Sequence, residues 1–289
     1  MNIGILASGN LGLYVLKEVQ HAIEPVFIAT DSGSRTIIQY ATEKGIPVFK
    51  GNPRGGRLYT FATDFKIDVL LSINYLFLIE KDLIGLPSKY AINFHGSLLP
   101  KYRGRTPHVW AIINNEPYTG ITAHLIDENC DTGAILLQEK VKIDESDTGA
   151  DLLDKYKQIY PKMVIDLLKK LQDQMLQPQI QEEAQATYFG KRTPEDGEIN
   201  WDWQKEQIYN WVRAQAYPYP GAYTYLDGQK ITIDKVEYTN GGYHFDQPNG
   251  SILTDGEQPV VKTPNGAVKL VSIREEIDFT DCKNKILGQ

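Results

Sequence analysis

The sequence predicts a doubly wound α/β domain followed by a small module that is rich in β-strands and resembles a β-barrel. Up to about residue 180, short continuous apolar runs alternate with segments of helical periodicity, a pattern typical of a parallel sheet covered on both faces. Beyond residue 200, short β-rich runs are separated by Asp-Gly and Asn-Gly turns, which indicates a barrel or sandwich. We therefore place an N-terminal domain at 1–180, a linker at 181–200 and a C-terminal module at 201–289.

The elements of the first domain follow from local patterns. The strongest strand signal is the succession Val69, Leu70 and Leu71, and one helix is expected to end at Gly45, since glycine often follows a helix C-terminus. The last helix is long and carries apolar residues at helical spacing. The predicted strands are 2–7, 25–30, 47–50, 68–74, 91–95, 120–127 and 134–143, and the predicted helices are 11–20, 34–44, 107–115 and 147–177.

The C-terminal module is predicted to contain one short helix and several strands. The helix is 206–214, and the strands are 223–226, 230–238, 250–254, 260–262 and 268–273. The polar, Gln-rich stretch before the module indicates a linker.

Composition narrows the class of protein. A net charge of −7 argues against a general binder of polyanions, so we expect no nucleic-acid partner. Only Cys130 and Cys282 are present, which favours a reducing, cytoplasmic setting over a disulfide framework. No apolar run approaches the length of a membrane span, and the N-terminus has the pattern of a buried strand, so we expect neither a membrane nor a secretory signal.

The residues most suited to chemistry lie at the end of the strand 91–95. Side chains two residues apart on a strand point to the same face, so Asn93 and His95 project together. They do so at the carboxyl end of a strand, where open α/β sheets bind ligands. Gly96 allows the chain to turn sharply there.

A carboxylate is available downstream, at Asp131 in the loop between two predicted strands. A carboxylate beside an imidazole orients the ring and favours its protonated form. The neutral ring of His95 can take a proton from an amine, and the Asn93 amide can donate to a developing oxyanion. These three groups together suit the attack of an amine on a one-carbon acyl donor.

Two motifs resemble a known family. Asn93-Phe94-His95-Gly96-Ser97-Leu98-Leu99-Pro100 with Tyr102-Arg103-Gly104, followed by Cys130-Asp131-Thr132-Gly133, is similar to the folate-dependent formyltransferases. The resemblance covers the N-terminal domain, and the stretch from Phe189 to Trp201 resembles the C-terminal module of the same family. It implies that Asn93, His95 and Asp131 are the catalytic trio and that 10-formyltetrahydrofolate is the formyl donor.

The resemblance also implies where the donor binds. Its pterin is expected along the segment that follows the strand 68–74 and at the loop before Asp131, held largely by backbone groups. The residues concerned are Ser72, Asn74, Tyr75, Leu76, Phe77, Leu78 and Asn129. No metal is expected, because His108, His124 and His244 show no ligand spacing. A homodimer is implied by the resemblance alone.

Three acceptors occur in the family: glycinamide ribonucleotide, methionyl-tRNA and nucleotide-linked amino sugars. The glycinamide enzymes are single-domain chains that usually have Pro where this chain has Gly96. A tRNA binder needs basic phosphate contacts, whereas residues 190–289 carry 11 Lys and Arg against 15 Asp and Glu. The sequence therefore favours a nucleotide-linked amino sugar, such as a dTDP-4-amino-4,6-dideoxyhexose for O-antigen or other surface polysaccharides, with methionyl-tRNA as the alternative.

Candidate contacts to the acceptor come from several places. The N-terminus of the helix 11–20 offers Ser8 and Asn10. The run 101–107 resembles the sugar enzymes and places Arg103 and Arg105 to meet anionic groups. By the same resemblance, aromatic rings at the start of the C-terminal module are expected to stack on the nucleotide base. The full set of predicted contacts is Ser8, Asn10, Gly96, Ser97, Arg103, Arg105, Thr106, Tyr217 and Tyr223, with Tyr219 as a further aromatic candidate.

Two other interpretations remain open. The stretch Ser8-Gly9-Asn10-Leu11-Gly12, with Asp31 at the end of the second strand, is similar to the dinucleotide fingerprint of Rossmann-like domains, but Ala7 replaces the first glycine. A protein of this fold that binds folate or a sugar nucleotide without catalysis is the other, and the intact trio of Asn93, His95 and Asp131 argues against it.

Overall fold

The structure is a computed structural model that describes residues 1–288, and its contacts divide the chain into two compact units. The first unit contains Met1–Pro107, Thr119–Lys142 and Leu153–Phe189. The second contains His108–Tyr118, Ile143–Leu152 and the residues from Gly190 on. Each unit is therefore assembled from separate stretches of the chain, in contrast to the sequential division predicted from the sequence.

The first unit is built on a seven-stranded sheet with the strand order β3-β2-β1-β4-β5-β7-β8. Its strands, with the short β6 and β9 that pair only with each other, are β1 Ile3–Ala7, β2 Pro25–Thr30, β3 Val48–Lys50, β4 Val69–Ile73, β5 Tyr90–His95, β6 Arg103–Gly104, β7 Tyr118–Leu125, β8 Ile135–Lys142 and β9 Tyr188–Phe189. The helices along this part of the chain are α1 Gly9–Val19, α2 Arg35–Glu43, α3 Arg57–Ala62, α4 Lys81–Ile84, α5 Pro107–Ile113 and α6 Gly149–Gln172.

Alternate residues of the central strands enter two different cores. On β1, Ile5 packs with α1, α2 and α6, whereas Leu6 packs with α3 and α4. The consecutive Leu70 and Leu71 of β4 divide in the same way. Because both faces of the sheet are covered, its strands are apolar on both sides, and the predicted doubly wound α/β class is confirmed.

The sheet is mixed rather than wholly parallel. Strand β5 runs parallel to β4 but antiparallel to β7, with Asn93 opposite His124 and His95 opposite Thr122. The sequence pattern predicts an all-parallel sheet because a buried antiparallel strand has the same continuous apolar run as a parallel one. This antiparallel pairing adds a residue from β7 to the end of β5 where the predicted chemistry lies.

The predicted linker 181–200 has ordered structure. Glu183–Gln185 form one turn of 3-10 helix, and β9 pairs with β6 in parallel. Just before it, Gln179 forms a bridge with Ile135 at the start of β8. Residues up to Phe189 thus belong to the first unit through backbone pairing that their polar composition does not reveal.

The second unit contains a four-stranded antiparallel sheet in the order β10-β11-β13-β12. Its elements are α7 Lys205–Ala214, β10 Ala222–Leu226, β11 Gln229–Thr239, β12 Val260–Thr263 and β13 Gly266–Ile273. Helix α7 buries Ile208 and Val212 against this sheet. The predicted strand 250–254 forms only isolated bridges at Ser251 and Ile252. No helix among residues 1–288 is both long enough and apolar enough to cross a membrane.

Candidate active site

A row of polar side chains crosses three neighbouring strands near their ends. Ser72 of β4 is in register with Asn93 of β5, and Asn93 is in register with His124 of β7. Residues paired in this way point to the same face of a sheet. His95, two residues beyond Asn93, lies on this face as well and is the last residue of its strand.

The two nitrogens of the His95 ring have different environments. Nε2 lies 2.7 Å from the carbonyl oxygen of Tyr102, and since a carbonyl only accepts, Nε2 carries the hydrogen of the neutral ring. Nδ1 is then the basic nitrogen, and it faces Asp131 with 3.6 Å between Nδ1 and Oδ2. A proton taken up by His95 is therefore placed on the side of the carboxylate.

Asp131 is held by its backbone conformation and by a neighbouring loop. Its φ of 57° lies in the left-handed region, which few residues other than glycine adopt. The backbone N–H of Gly104 donates to Oδ2 at 2.8 Å, and Oδ1 lies 3.5 Å from Nε2 of His124. The loop that follows β5 thus provides both the carbonyl that binds His95 and the amide that binds Asp131.

The pKa values of this pair move in directions that suit acid–base chemistry. Burial lowers the pKa of His95, and the attraction of Asp131 and the Tyr102 carbonyl offsets only part of that effect. Burial acts to raise the pKa of Asp131, but His95 and the Gly104 N–H outweigh it and hold the pKa below its usual range. At neutral pH the pair therefore consists of a neutral imidazole beside an ionised carboxylate.

His124 lies beside Asn93 and Asp131, although the sequence excludes it as a metal ligand and predicts no other role for it. Its Nε2 lies 3.2 Å from Nδ2 of Asn93, and its Nδ1 lies 2.8 Å from the carbonyl oxygen of Leu125. Nδ1 donates to that carbonyl, so Nε2 accepts from the Asn93 amide and fixes its orientation. The signal that finds His124 is its register opposite Asn93, which requires the antiparallel pairing of β5 with β7.

These groups can assist an addition to a carbonyl carbon. The amide nitrogen of Asn93 has two hydrogens, and while one is held by His124, the second can donate to an oxyanion. Nδ1 of His95 can accept the proton that an attacking amine loses. Asp131 then stabilises the imidazolium by its negative charge.

Comparison with known protein families agrees with this chemistry. Residues 15–168 match the model described as "Formyl transferase", and residues 191–283 match that described as "Formyl transferase, C-terminal domain". The first match alone covers more than half of the chain. The chain belongs to the formyl transferase family.

Solved structures of this family share the fold. The chain matches the N-formyltransferase from Helicobacter canadensis, in complex with folinic acid and dTDP-3-aminofucose, at a TM-score of 0.74 and 20% identity over 94% of this chain and 99% of that one. It also matches WlaRD, a sugar 3N-formyl transferase in the presence of dTDP and 5-N-formyl-THF, at a TM-score of 0.73 and 18% identity. This match covers 96% of this chain and 99% of that one. The methionyl-tRNA formyltransferase from Clostridium thermocellum matches at a TM-score of 0.57 and 20% identity, over 84% of this chain and 96% of that one.

The segment in which this formyl transferase is expected to hold folate forms the loop after β4. Leu76 and Leu78 are exposed, and Asn74, with a φ of 53°, donates from Nδ2 to the carbonyl of Ser8. Ser72 is buried within β4, below the loop. The loop presents apolar side chains at the carboxyl end of the sheet, and its contact with a pterin stays a prediction.

Two buried polar atoms near this loop are unsatisfied. Tyr75 Oη and Thr106 Oγ1 have no hydrogen-bond partner among residues 1–288. Arg105 connects their two segments, since its Nη2 donates to the carbonyl of Leu76 at 2.8 Å. Unsatisfied buried hydroxyls next to an exposed apolar loop fit a polar ligand. Asn129, the other predicted folate contact, is exposed in the loop before Asp131.

Arg103 does not lie where the sequence predicts. Its side chain is fully buried, and its guanidinium is used by Gln181, Glu183 and Tyr188. An anionic acceptor cannot reach it, so the predicted role of Arg103 as a phosphate contact is corrected. The run 101–107 predicts a charged loop, but β9 covers this arginine through a pairing distant in sequence.

Two more predicted acceptor contacts are corrected by burial. Ser97 is 1% exposed and its hydroxyl donates to the carbonyl of Lys101, so it stabilises its own loop. Tyr223 is buried in β10, with its hydroxyl on the carbonyl of Glu195 and its ring covered by Lys230, which leaves no free face for a base.

Some of the other predicted acceptor contacts are accessible to solvent and others are buried. Asn10 and Arg105 are exposed. Tyr217 is 76% exposed, and its backbone N–H donates to the carboxylate of Asp234. Ser8 is buried at the start of α1, and its hydroxyl lacks a partner among residues 1–288. The carbonyl of Gly96 accepts from Tyr156. The hydroxyl of Tyr219 lies 2.7 Å from Nε2 of His108.

Within residues 1–288, no group of three or more His, Cys, Asp and Glu side chains is arranged to hold a metal ion.

Proposed function

We propose that the protein is an N-formyltransferase that moves the formyl group of 10-formyltetrahydrofolate onto the amine of a nucleotide-linked amino sugar. The observation that supports the chemistry best is the arrangement of His95, whose Nε2 is fixed by a carbonyl while Nδ1 remains basic and faces an ionised carboxylate. Such a ring can accept a proton without first breaking a hydrogen bond.

The reaction begins when the amine attacks the formyl carbon of the donor. The carbonyl oxygen becomes an oxyanion, to which Asn93 donates a hydrogen bond. His95 takes the proton from the attacking nitrogen at Nδ1, and the new imidazolium is stabilised by Asp131. Collapse of the intermediate re-forms the carbonyl and breaks the bond to N10 of the folate, which leaves with the proton that the His95 imidazolium gives up, and the formamide is released.

The acceptor is proposed on charge and on fold. The stretch from residue 190 to 289 has a net charge of −4, from 11 Lys and Arg against 15 Asp and Glu, which suits a small acceptor better than the phosphates of a tRNA. The sugar N-formyltransferases with the same fold were crystallised with dTDP or a dTDP-sugar, which supports a nucleotide-linked sugar here.

The acceptor is tested by turnover with a panel of dTDP-, UDP- and GDP-linked amino sugars and with methionylated initiator tRNA. We expect formylation of one of the sugars and release of tetrahydrofolate in equal amount. Activity on the tRNA alone would overturn the assignment of the acceptor. Folate binding without turnover of any acceptor would favour a binding protein over an enzyme.

The catalytic trio is tested by Asn93→Ala, His95→Ala and Asp131→Ala. Each removes one of the three groups on which the proposed transition state depends, so we expect kcat to fall by about 100-fold or more. Leu76→Ala, in the folate loop but without acid–base chemistry, is the matched control and should change KM for the donor more than kcat. Circular dichroism checks that each variant is folded, and a folded His95→Ala enzyme with near-normal kcat would contradict the mechanism.

A further inference from the structure

Gln181 is a buried amide outside the trio that contacts the backbone of the loop carrying Asp131. Its Nε2 donates to the carbonyl of Asp131 at 2.9 Å and to the carbonyl of Gly133 at 2.7 Å. One of these carbonyls belongs to Asp131 itself, which has the left-handed backbone conformation, and the other lies two residues later. Gln181 therefore holds the backbone at Asp131 and just after it.

The orientation of the Gln181 amide is set by Arg103. The guanidinium donates from Nε at 3.1 Å and from Nη2 at 2.9 Å to Oε1 of Gln181. Because arginine only donates, Oε1 must face it and Nε2 must face the two carbonyls. Arg103 is in turn held by Glu183 and by the ring and hydroxyl of Tyr188.

Arg103 also lies between the two backbone groups that hold the catalytic pair. The residue before it, Tyr102, accepts the hydrogen bond of His95, and the residue after it, Gly104, donates to Asp131. The N–H of Arg103 donates to the carbonyl of Thr187 at 2.8 Å. The loops that hold His95 and Asp131 are thus connected to one another through Arg103 and Gln181.

We propose that Gln181 is a positioning residue, which sets the distance between the Asp131 carboxylate and Nδ1 of His95 by holding the Asp131 turn against Arg103. The assignment of a role in catalysis rests on the proposed formyl transfer, but the distance itself does not. An amide is suited to this position because it accepts from a cation on one side and donates to two carbonyls on the other.

The test is the titration of His95 in Gln181→Met, followed by NMR of the imidazole and assigned by comparison with His95→Ala. Methionine has similar length but neither donates nor accepts strongly. The titratable groups facing His95 are Asp131 and His124. When Asp131 moves away, its effect in favour of the protonated ring is lost, so the midpoint should fall by roughly half a pH unit or more.

Gln179→Met is the matched control, because Gln179 is exposed in the same segment and pairs with Ile135 through its backbone. Its His95 titration should equal that of the unmodified protein. Should Gln181→Met fail to fold, Gln181→Asn decides, since its shorter amide cannot reach Arg103 and both carbonyls together. An unchanged His95 midpoint in a folded Gln181 variant would overturn the proposal.

A kinetic readout connects the distance to catalysis. In Gln181→Met we expect kcat to fall by about 10- to 100-fold with KM for the folate donor nearly unchanged, as is usual for residues that orient a catalytic group. The titration uses no substrate, so a failure of the proposed function would leave its result intact. A lowered midpoint with an unchanged kcat would overturn the positioning role in catalysis while confirming the geometry.

Discussion

The two oxygens of the Asp131 carboxylate have different partners. Oδ2 accepts from the Gly104 N–H at 2.8 Å and from the Cys130 thiol at 3.3 Å, and it also faces His95. Oδ1 faces His124. The hydrogen bond from the Gly104 N–H and the attraction of the His95 ring favour the ionised form of the carboxylate and hold its pKa below the usual range. The charge state of Asp131 therefore underlies the chemistry of its neighbours.

The reactivity of the Cys130 thiol depends on the charge of Asp131. Burial and the adjacent negative charge of Asp131 raise the pKa of its thiol to about 11, although the residue is exposed. Only the thiolate reacts with iodoacetamide, so at pH 8 we expect alkylation on the order of 100-fold slower than that of a free thiol. The rate should rise with pH up to about 11, as measured by mass spectrometry of the peptide that contains Cys130.

Asp131→Asn supplies the comparison for this experiment. Loss of the negative charge removes one of the causes that raise the thiol pKa, so the variant should react faster at pH 8 and reach its plateau at lower pH. Cys282 is buried and serves as the unreactive reference. Equal rates in the two proteins would mean that the carboxylate is not ionised beside the thiol.

At the scale of elements, the sequence predicts what depends on local pattern and misses what depends on pairing. Asn93 and His95 share a strand face by periodicity alone, and the α/β class follows from alternating apolar runs. His124 and Gln181 are not predictable in this way, because each contacts the site through register or a chain segment distant in sequence. Arg103 is the clearest case, since a charged loop residue becomes buried only when β9 pairs with β6.

The substitution Gly104→Ala tests whether β6 and β9 lie as close together as their pairing requires. It has a φ of 101°, and a Cβ atom there would overlap the carbonyl oxygen of Phe189. Gly104→Ala should therefore lower the melting temperature and also lower kcat, since the N–H of this residue holds Asp131. Thermal unfolding and steady-state kinetics measure the two effects.

Gly51→Ala is the matched control for Gly104→Ala. Gly51 has a φ of 106°, and a Cβ atom there would have no neighbour within 4 Å. The free energy of unfolding of Gly51→Ala should fall by about 1–3 kcal/mol, because alanine is unfavourable at this φ, and its kcat should not change. Equal losses of stability and unchanged activity in both variants would contradict a close approach of β9 to Gly104.

On the scale of the whole molecule, neither of the two compact units is one continuous stretch of the chain. The second unit includes residues 108–118 and 143–152, and a cluster of buried apolar side chains joins these two stretches to its C-terminal part. The cluster contains Val109, Ile112, Ile143, Leu152 and Ala214. A boundary inferred from a change of composition cannot detect such a cluster, because each of its segments has an ordinary amphipathic pattern. The net charge of −7, by contrast, is read directly from the sequence and bears on the partner.

That charge predicts how activity depends on salt. A protein that binds a tRNA through six to ten phosphates loses roughly 10³–10⁵ in affinity between about 50 and 200 mM salt, because each contact releases counterions. A nucleotide-linked sugar offers one pyrophosphate, so its kcat/KM should fall by less than about tenfold over the same range. Potassium chloride and potassium glutamate should give the same small slope if screening alone acts. A steep slope with the sugar substrate would require an extended basic surface, which the 15 acidic against 11 basic residues of 190–289 do not favour.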